Sequence, residues 1–403
     1  MAFGRGGEIR LAAAPGRVNL IGEHIDYHGL PVLPMALGRR IRVAFRPRTD
    51  RLIRAISEGY GRREFEWTSE LTPVPAGDWE NYLRAAAQAV GGKWGVGAGL
   101  DAAIASDLPP AAGLSSSSAL IVAFTLALLR ANGLRATFEE LMEVLPEGEH
   151  FVGTRGGGMD HAASLASREG CAALISFDPL SVRAIPIPED WGFLVAHSTR
   201  TAEKSGAVRE AYNARRRAGT AALARLGFAS YREAVESGAD QEEQWPEPRE
   251  GKKADREVRP TKRADHEERW SAPLVALERD AFLHVTGETR RVTAAVKAMD
   301  CGDAASFGRL LLESHASLRD RLRVSCAELD RLVEAATESG AAGARLTGAG
   351  FGGCAVIFAA KSDLPAVREG LMERFYSKRA GQEACPTIIE AEPGPGALYM
   401  ENP

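Results

Sequence analysis

A chain of 403 residues exceeds one compact core and, at roughly 100–200 residues per domain, divides into two units or three. Its apolar and charged fractions, 45% and 26%, are those of an ordinary globular chain, and a net charge of −4 with no basic half excludes the electrostatic footprint of a nucleic-acid or anionic-membrane binder. Five scattered cysteines (Cys171, Cys301, Cys326, Cys354, Cys385), an odd number without the CxxC spacing of a zinc site or redox pair, suit a reducing cytoplasm, and the longest apolar run, 119–129, falls short of the ~20 residues that span a bilayer.

Near the N-terminus, APGRVNLIGEHIDYHGLPVLPMAL at 14–37 sets Arg17, Glu23, His24 and Asp26 among apolar neighbours. Such charge density is costly unless the groups pair or meet a polar ligand. His24 and His28 have the i,i+4 spacing of a helical metal pair, but Gly22, Gly29 and Pro31 speak against a helix. Residues 39–67 alternate β-branched or aromatic residues with arginines and predict half-buried strands joined by turns. Further strands are predicted at 171–177, 191–197 and 354–360. Helical periodicity covers 80–90, 117–131, 207–226, 281–299, 303–316 and 326–338, with Asp303 placed as an N-cap. Residues 240–270 carry charges of both signs and almost no aliphatic side chain, the composition of a solvated insertion. Strands and helices in this order predict an α+β architecture of two lobes, 1–190 and 191–403, with mixed sheets packed against helices and the site between the lobes.

The stretch PPAAGLSSSSALIVAF at 109–124 opens a wholly apolar helix with a glycine turn and four serines. A helix start leaves backbone N–H groups unpaired and favours anions, phosphate above all. The hydroxyls could bind phosphate, ligate a magnesium ion riding on it, or simply cap the helix, and the stretch alone fits either reading. No GxxxxGK[ST] sequence is present. Gly348, Gly350 and Gly353 satisfy GxGxxG, but a dinucleotide fingerprint must open a helix, and a strand-like run, CAVIFAA, follows instead. A third glycine cluster, GTRGGGMDHAASL at 153–165, places Asp160 beside backbone able to approach a ligand closely.

Four of these stretches, in order, resemble the galactokinase family, within the superfamily of galacto-, homoserine, mevalonate and phosphomevalonate kinases. GRVNLIGEHIDYHG resembles its sugar-binding signature and PPAAGLSSSSAL its phosphate loop; GGGMDH is similar to the segment with the catalytic aspartate, and RLTGAGFGGCAV to the last glycine loop. Fainter echoes are WENYLR at 79–84 and the run 306–333, so the likeness extends nearly end to end apart from the charged insertion.

The resemblance implies an ATP-dependent sugar 1-kinase with magnesium as cofactor. Arg17 would stabilise the transferring phosphoryl group and Asp160 would face the sugar hydroxyl, as base or as orienting charge. Glu23, His24, Asp26, Gly158 and Tyr212 would contact the sugar. Gly113, Leu114, Ser115, Ser116 and Ser117 would wrap the nucleotide phosphates, with Trp79 and Tyr82 on the adenine side and Ser117 and Glu149 as magnesium ligands. Most galactokinases have glycine where Ala111 stands and glutamine where His161 stands; PPxxGLSSSSAL and GTxGGGMD are closer to the N-acetylgalactosamine kinase branch, whereas Tyr212 is closer to galactokinase. Galactose is therefore the expected acceptor, N-acetylgalactosamine or another galacto-configured sugar the alternative, and a non-catalytic sugar and ATP sensor the rival from another class. The partners expected are sugar and ATP, neither nucleic acid nor membrane, in a cytoplasmic monomer or weak dimer. His150, His161, His197 and His315 are assigned to packing or surface, and Cys354 to the core.

Overall fold

The computed structural model describes residues 7–109, 113–151, 157–201, 207–238, 276–377 and 388–399. Ala111, Cys385 and the charged stretch 240–270 lie outside these residues. The first sheet holds β1 (Arg10–Ile21), β2 (Leu33–Pro47), β3 (Leu52–Ser57), β4 (Gly61–Glu66) and β5 (Leu100–Ser106) in the order β1-β2-β5-β3-β4. All its pairings are antiparallel except that of β3 with β5. Alternation in β2 turns Val43 and Phe45 inward and Arg42 outward, the pattern expected where one sheet face is covered.

Helices α1 (Glu80–Trp94), α2 (Ser116–Ala131), α3 (Phe138–Phe151) and α4 (Met159–Ala166) belong to this half, with α2 and α4 lying on β1 and β2. Every residue of α2 from Ser118 to Leu129 is buried, which explains a helix sequence that is apolar all round. A hairpin of β6 (Cys171–Phe177) and β7 (Leu180–Pro186) follows.

The second sheet, wholly antiparallel, runs β11-β8-β10-β9 and comprises β8 (Trp191–His197), β9 (Gly343–Thr347), β10 (Cys354–Ala360) and β11 (Ile388–Glu390). Of the helices of this half, α5 (Ala207–Arg225) and α6 (Tyr231–Glu236) pack on α7 (Ala276–Cys301), while α8 (Ala304–Asp320), α9 (Ala327–Glu338) and α10 (Leu364–Leu371) pack on the sheet. Asp303 does cap α8, its carboxylate accepting from the Ser306 N–H at 3.0 Å. Among the described residues no helix is long and apolar enough to cross a membrane.

Two features place the site. The later half of β1 is buried on both sides, by α2 and α4 on one and by α7, α8 and β9 on the other. The chain also returns after β11: the Gly394 N–H bonds the Ala36 carbonyl at 2.9 Å, and the N–H groups of Gly396 and Ala397 bond the carbonyls of Ser167 and Ser164 at 2.8 Å each.

Helix α8 lies so close to β9 that a Cβ on Gly308 would fall 2.2 Å from the Ala342 carbonyl oxygen. Alanine is the better helix former by about 1 kcal/mol, but the clash is with backbone that cannot step aside, at about 1–3 kcal/mol or more. Gly308→Ala is therefore expected to destabilise the protein, seen as a lower urea-unfolding midpoint; an unchanged or raised midpoint would contradict this packing.

Candidate active site

Strand β1, the serine turn and the start of α4 converge on one arginine. Arg17 Nε and Nη2 lie 2.7 and 2.6 Å from Asp160 Oδ1, and Nη1 donates to the Gly113 carbonyl at 2.9 Å. Its backbone N–H donates to the Leu114 carbonyl at 3.1 Å, so the strand and the turn are joined twice. Ser115 takes a left-handed conformation, φ 54°, at the N-cap of α2, yet its side chain caps nothing. Its hydroxyl donates instead to Asp160 Oδ2, with the Ser118 hydroxyl 3.5 Å from the same oxygen. Of the alternatives open for the serines, helix capping is thus not taken by Ser115, whose hydroxyl serves the aspartate.

Beyond Ile21 the chain bends sharply and presents Glu23, His24 and Asp26 to the same cleft as Arg17 and Asp160. His24 is left-handed, φ 63°. Its Nδ1 is 2.9 Å from the Tyr27 hydroxyl and its Nε2 3.2 Å from the Ala349 carbonyl, partners that assign the Nε2–H tautomer. Burial, with the nearby His284 adding to it, pushes the imidazole down to about 3, so His24 is neutral. The helix that a metal pair with His28 would need is absent between them, where there is only a three-residue 3-10 turn at 26–28, and His28 packs between the rings of Tyr27 and Tyr231.

The glycine run before Asp160 has a steric cause. A Cβ on Gly157 would lie 2.4 Å from the Asp26 carbonyl carbon and the Tyr27 nitrogen; without one, the Gly157 N–H reaches Asp26 Oδ2 at 3.1 Å. Burial and the facing Asp160 charge push the Asp26 carboxyl up to about 6 from 3.8. Gly158 borders the cleft as the N-cap of α4, and Tyr212 on α5 closes the far side with its ring centroid 5.2 Å from that of His24.

Sequence reasoning missed Arg345. This fully buried arginine on β9 places Nη2 2.7 Å from Glu23 Oε2 and Nη1 3.0 Å from the Leu20 carbonyl. Glu23 also accepts from the Asn19 amide and, at 2.6 Å, from the Gly348 N–H. Burial pushes the Glu23 carboxyl up and Arg345 opposes it. The loop 348–353 feeds strand β10 and rests against residues 23 and 24 while lining the cleft, which agrees with the rejection of a dinucleotide fingerprint.

Comparison with known proteins decides the family. Residues 1–47 match the galactokinase galactose-binding signature, and 81–168 and 293–378 match the N-terminal and C-terminal domains of GHMP kinases. A galactokinase of Roseiflexus sp. (strain RS-1) is 36% identical over 97% of this chain and 93% of its own length; one of Streptomyces coelicolor is 34% identical over 96% and 93%. The chain belongs to the galactokinase family. Its fold is that of the family: the crystal structure of Lactococcus lactis galactokinase complexed with galactose superposes with a TM-score of 0.83 at 26% identity, covering 98% of this chain and 96% of that one. The mevalonate kinase of Methanococcus jannaschii, 15% identical with a TM-score of 0.61 over 96% of this chain and 99% of its own, shares the fold.

The remaining residues singled out by galactokinase resemblance lie around this centre. Ser116 and Ser117 form the first turn of α2, half-buried, while the Leu114 side chain is committed to the core, leaving only its backbone for a ligand. Trp79 and Tyr82 stand at the start of α1, away from the cleft lined by Arg17 and Asp160; the Trp79 indole donates to the Tyr60 carbonyl at 3.1 Å. Glu149 is within α3, but its side chain and that of His150 lie outside the described residues. His161 is buried at the edge of the cleft, and His315 is buried with Nε2 3.3 Å from Asp330.

Proposed function

We propose that the protein transfers the γ-phosphoryl group of ATP to the C1 hydroxyl of α-galactose, giving galactose 1-phosphate and ADP, in the cytoplasm. The observation that carries this reading is the Arg17–Asp160 pair, set between the serine turn and the polar side chains of Glu23, His24 and Asp26. Residues 1–190 and 191–403 are taken as the two lobes, in keeping with the five-stranded sheet in the first and the four-stranded sheet in the second.

Phosphoryl transfer requires an acceptor oxygen held in line with phosphorus and neutralisation of the charge that spreads over the equatorial oxygens. Glu23, His24 and Asp26 supply fixed acceptors and donors for the sugar hydroxyls, and a wrong epimer would leave them unpaired at a real penalty. Asp160 accepts a hydrogen bond from the C1 hydroxyl and then its proton as the new bond forms, while Arg17 faces the phosphoryl oxygens. The N–H groups and hydroxyls at the start of α2, Gly113 to Ser117, take the β- and γ-phosphates. That hydroxyl-rich helix start suits magnesium, an oxygen-seeking ion that keeps phosphates as ligands; Ser117 and Glu149 would hold it. When bound, the ion neutralises charge on the phosphates. Trp79 and Tyr82 are assigned to the adenine side.

The test is ADP release with MgATP and a panel of galactose, N-acetylgalactosamine, arabinose, glucose and galacturonate. Galactose-dependent turnover supports the reading; tight sugar binding without turnover would make the protein a sensor, and a preference for N-acetylgalactosamine would change the acceptor.

Asp26 adds a pH signature. A folded value of about 6 against 3.8 means that the charged carboxylate weakens the fold above about pH 6, progressively less down to pH 3.8, and not at all below it. Asp26→Asn should raise unfolding stability at pH 8 by about 1–2 kcal/mol, discounted for partial exposure, yet raise the KM for galactose. In the unmodified enzyme kcat/KM for galactose should fall as pH drops below about 6. A mutant without the stability gain at pH 8 would contradict the assignment.

A further inference from the structure

Two polar side chains lie behind the 22–24 turn and have no part in the scheme above. His284 and Glu288 sit one turn apart on α7 and are wholly buried. Glu288 Oε1 accepts from the Gly22 N–H at 2.9 Å and from the Ser314 hydroxyl at 2.7 Å, and its Oε2 accepts from Arg291 Nε at 2.8 Å. His284 Nε2 lies 3.0 Å from the Glu23 carbonyl and its Nδ1 2.8 Å from the Ser317 hydroxyl, so the Nε2–H donates to the carbonyl and Nδ1 accepts. Four residues past Glu288, a Val292 methyl stands 3.1 Å from where a Cβ on Gly22 would be. Positions 284, 288 and 292 of one helix therefore hold two successive residues of the turn.

A buried carboxylate is an expensive way to satisfy one backbone N–H, and an uncharged loop would do it with water or main chain. Burial pushes the Glu288 carboxyl up, but Arg291 and the other donors around it prevail and hold it down at about 2, so the clamp is charged at any working pH. What the clamp maintains is visible at the next residue. His24 has the left-handed backbone that a side-chain-bearing residue keeps only when its surroundings over-determine it.

We propose that Glu288 and His284 are positioning residues for sugar recognition: helix α7 fixes the backbone of residues 22 and 23, and thereby sets His24 and the Glu23 and Asp26 carboxylates toward the acceptor. This rests on the reading of the cleft as the sugar site. It also makes α7 a specificity element although neither of these side chains lines the cleft.

The experiment compares the full-length enzyme with Glu288→Ala, Glu288→Gln, His284→Phe and Ser314→Ala, varying galactose and MgATP separately and following the thermal midpoint. Glu288→Ala is expected to raise the KM for galactose ~10–100-fold with the KM for ATP within about twofold. Glu288→Gln, which keeps an acceptor for Gly22, should recover much of the difference, and Ser314→Ala should shift it only a few-fold. Should Glu288→Ala fail to fold, His284→Phe carries the same KM comparison. A folded Glu288→Ala or His284→Phe whose galactose KM stays within twofold of the parent, or whose two KM values rise together, overturns the proposal. Absence of galactose turnover in the parent enzyme would instead overturn the underlying sugar-kinase reading, so the two failures are told apart.

Discussion

Asp160→Asn is expected to lower kcat with galactose by ~10²–10⁴-fold while the protein stays folded and still binds the sugar. The amide is nearly isosteric and retains an oxygen for Ser115, but it can neither take the C1 proton nor balance Arg17. That guanidinium is almost fully buried, with Asp160 as its carboxylate partner at 2.6 Å. Single-turnover measurement with saturating ATP separates chemistry from product release, and isothermal titration with galactose reports binding. A kcat within fivefold of the parent would remove Asp160 from the reaction and with it the proposed mechanism.

Arg345→Leu is expected to give the largest loss of stability, about 3–5 kcal/mol by urea unfolding. The arginine is fully buried, pairs with a carboxylate that is itself buried, and donates to two carbonyls of β1. Removing it leaves the buried Glu23 carboxylate without its cation and frees both carbonyls. By contrast, the exposed pair of Arg331 and Glu338 on α9 is worth at most about 1 kcal/mol. The double variant Arg345→Leu/Glu23→Gln should recover part of the loss, because no unpaired charge remains. If the single variant lost less than 1 kcal/mol, the pair would have to be far better hydrated than its burial allows.

Elements with one covered face were legible in the sequence. The alternation of β2 to β4 and the periodicity of α1, α2, α5 and α7 to α9 follow from surfaces that meet core on one side and water on the other, or core all round for α2. Strand β1 was not foreseen, because burial on both sides erases alternation and two irregularities of register, around Gly16 and Leu20, break it further. Helix α3 carries Pro146 in its interior, and α4 has only eight residues behind a glycine run. The first turns of α3, FEELMEVL behind a Thr137–Glu140 capping box, did carry a helical signal, which Pro146 and Gly148 interrupt; the glycine run masks the short α4.

The site was legible where charge stood among apolar neighbours in one short segment, as for Arg17, Glu23, His24 and Asp26. It was not legible where one partner came from a distant element. Arg345 in GARLT, and His284 and Glu288 on the inner face of α7, did carry a signal: a polar side chain at a position whose period points into the core has a buried partner. Which partner it has is a matter of tertiary structure, since Glu23 and Arg345 are more than three hundred residues apart in the chain.

The return of residues 392–398 onto β2 and α4 bears on how the molecule is made. Synthesis proceeds from the N-terminus, and domains fold as they emerge. Here the half that leaves the ribosome first lacks the donors that meet the Ala36, Ser164 and Ser167 carbonyls until the chain has been translated past Ala397. A nascent chain halted anywhere before that point should hold its first sheet in a protease-sensitive state, and completion of the tail should be the event that seals it.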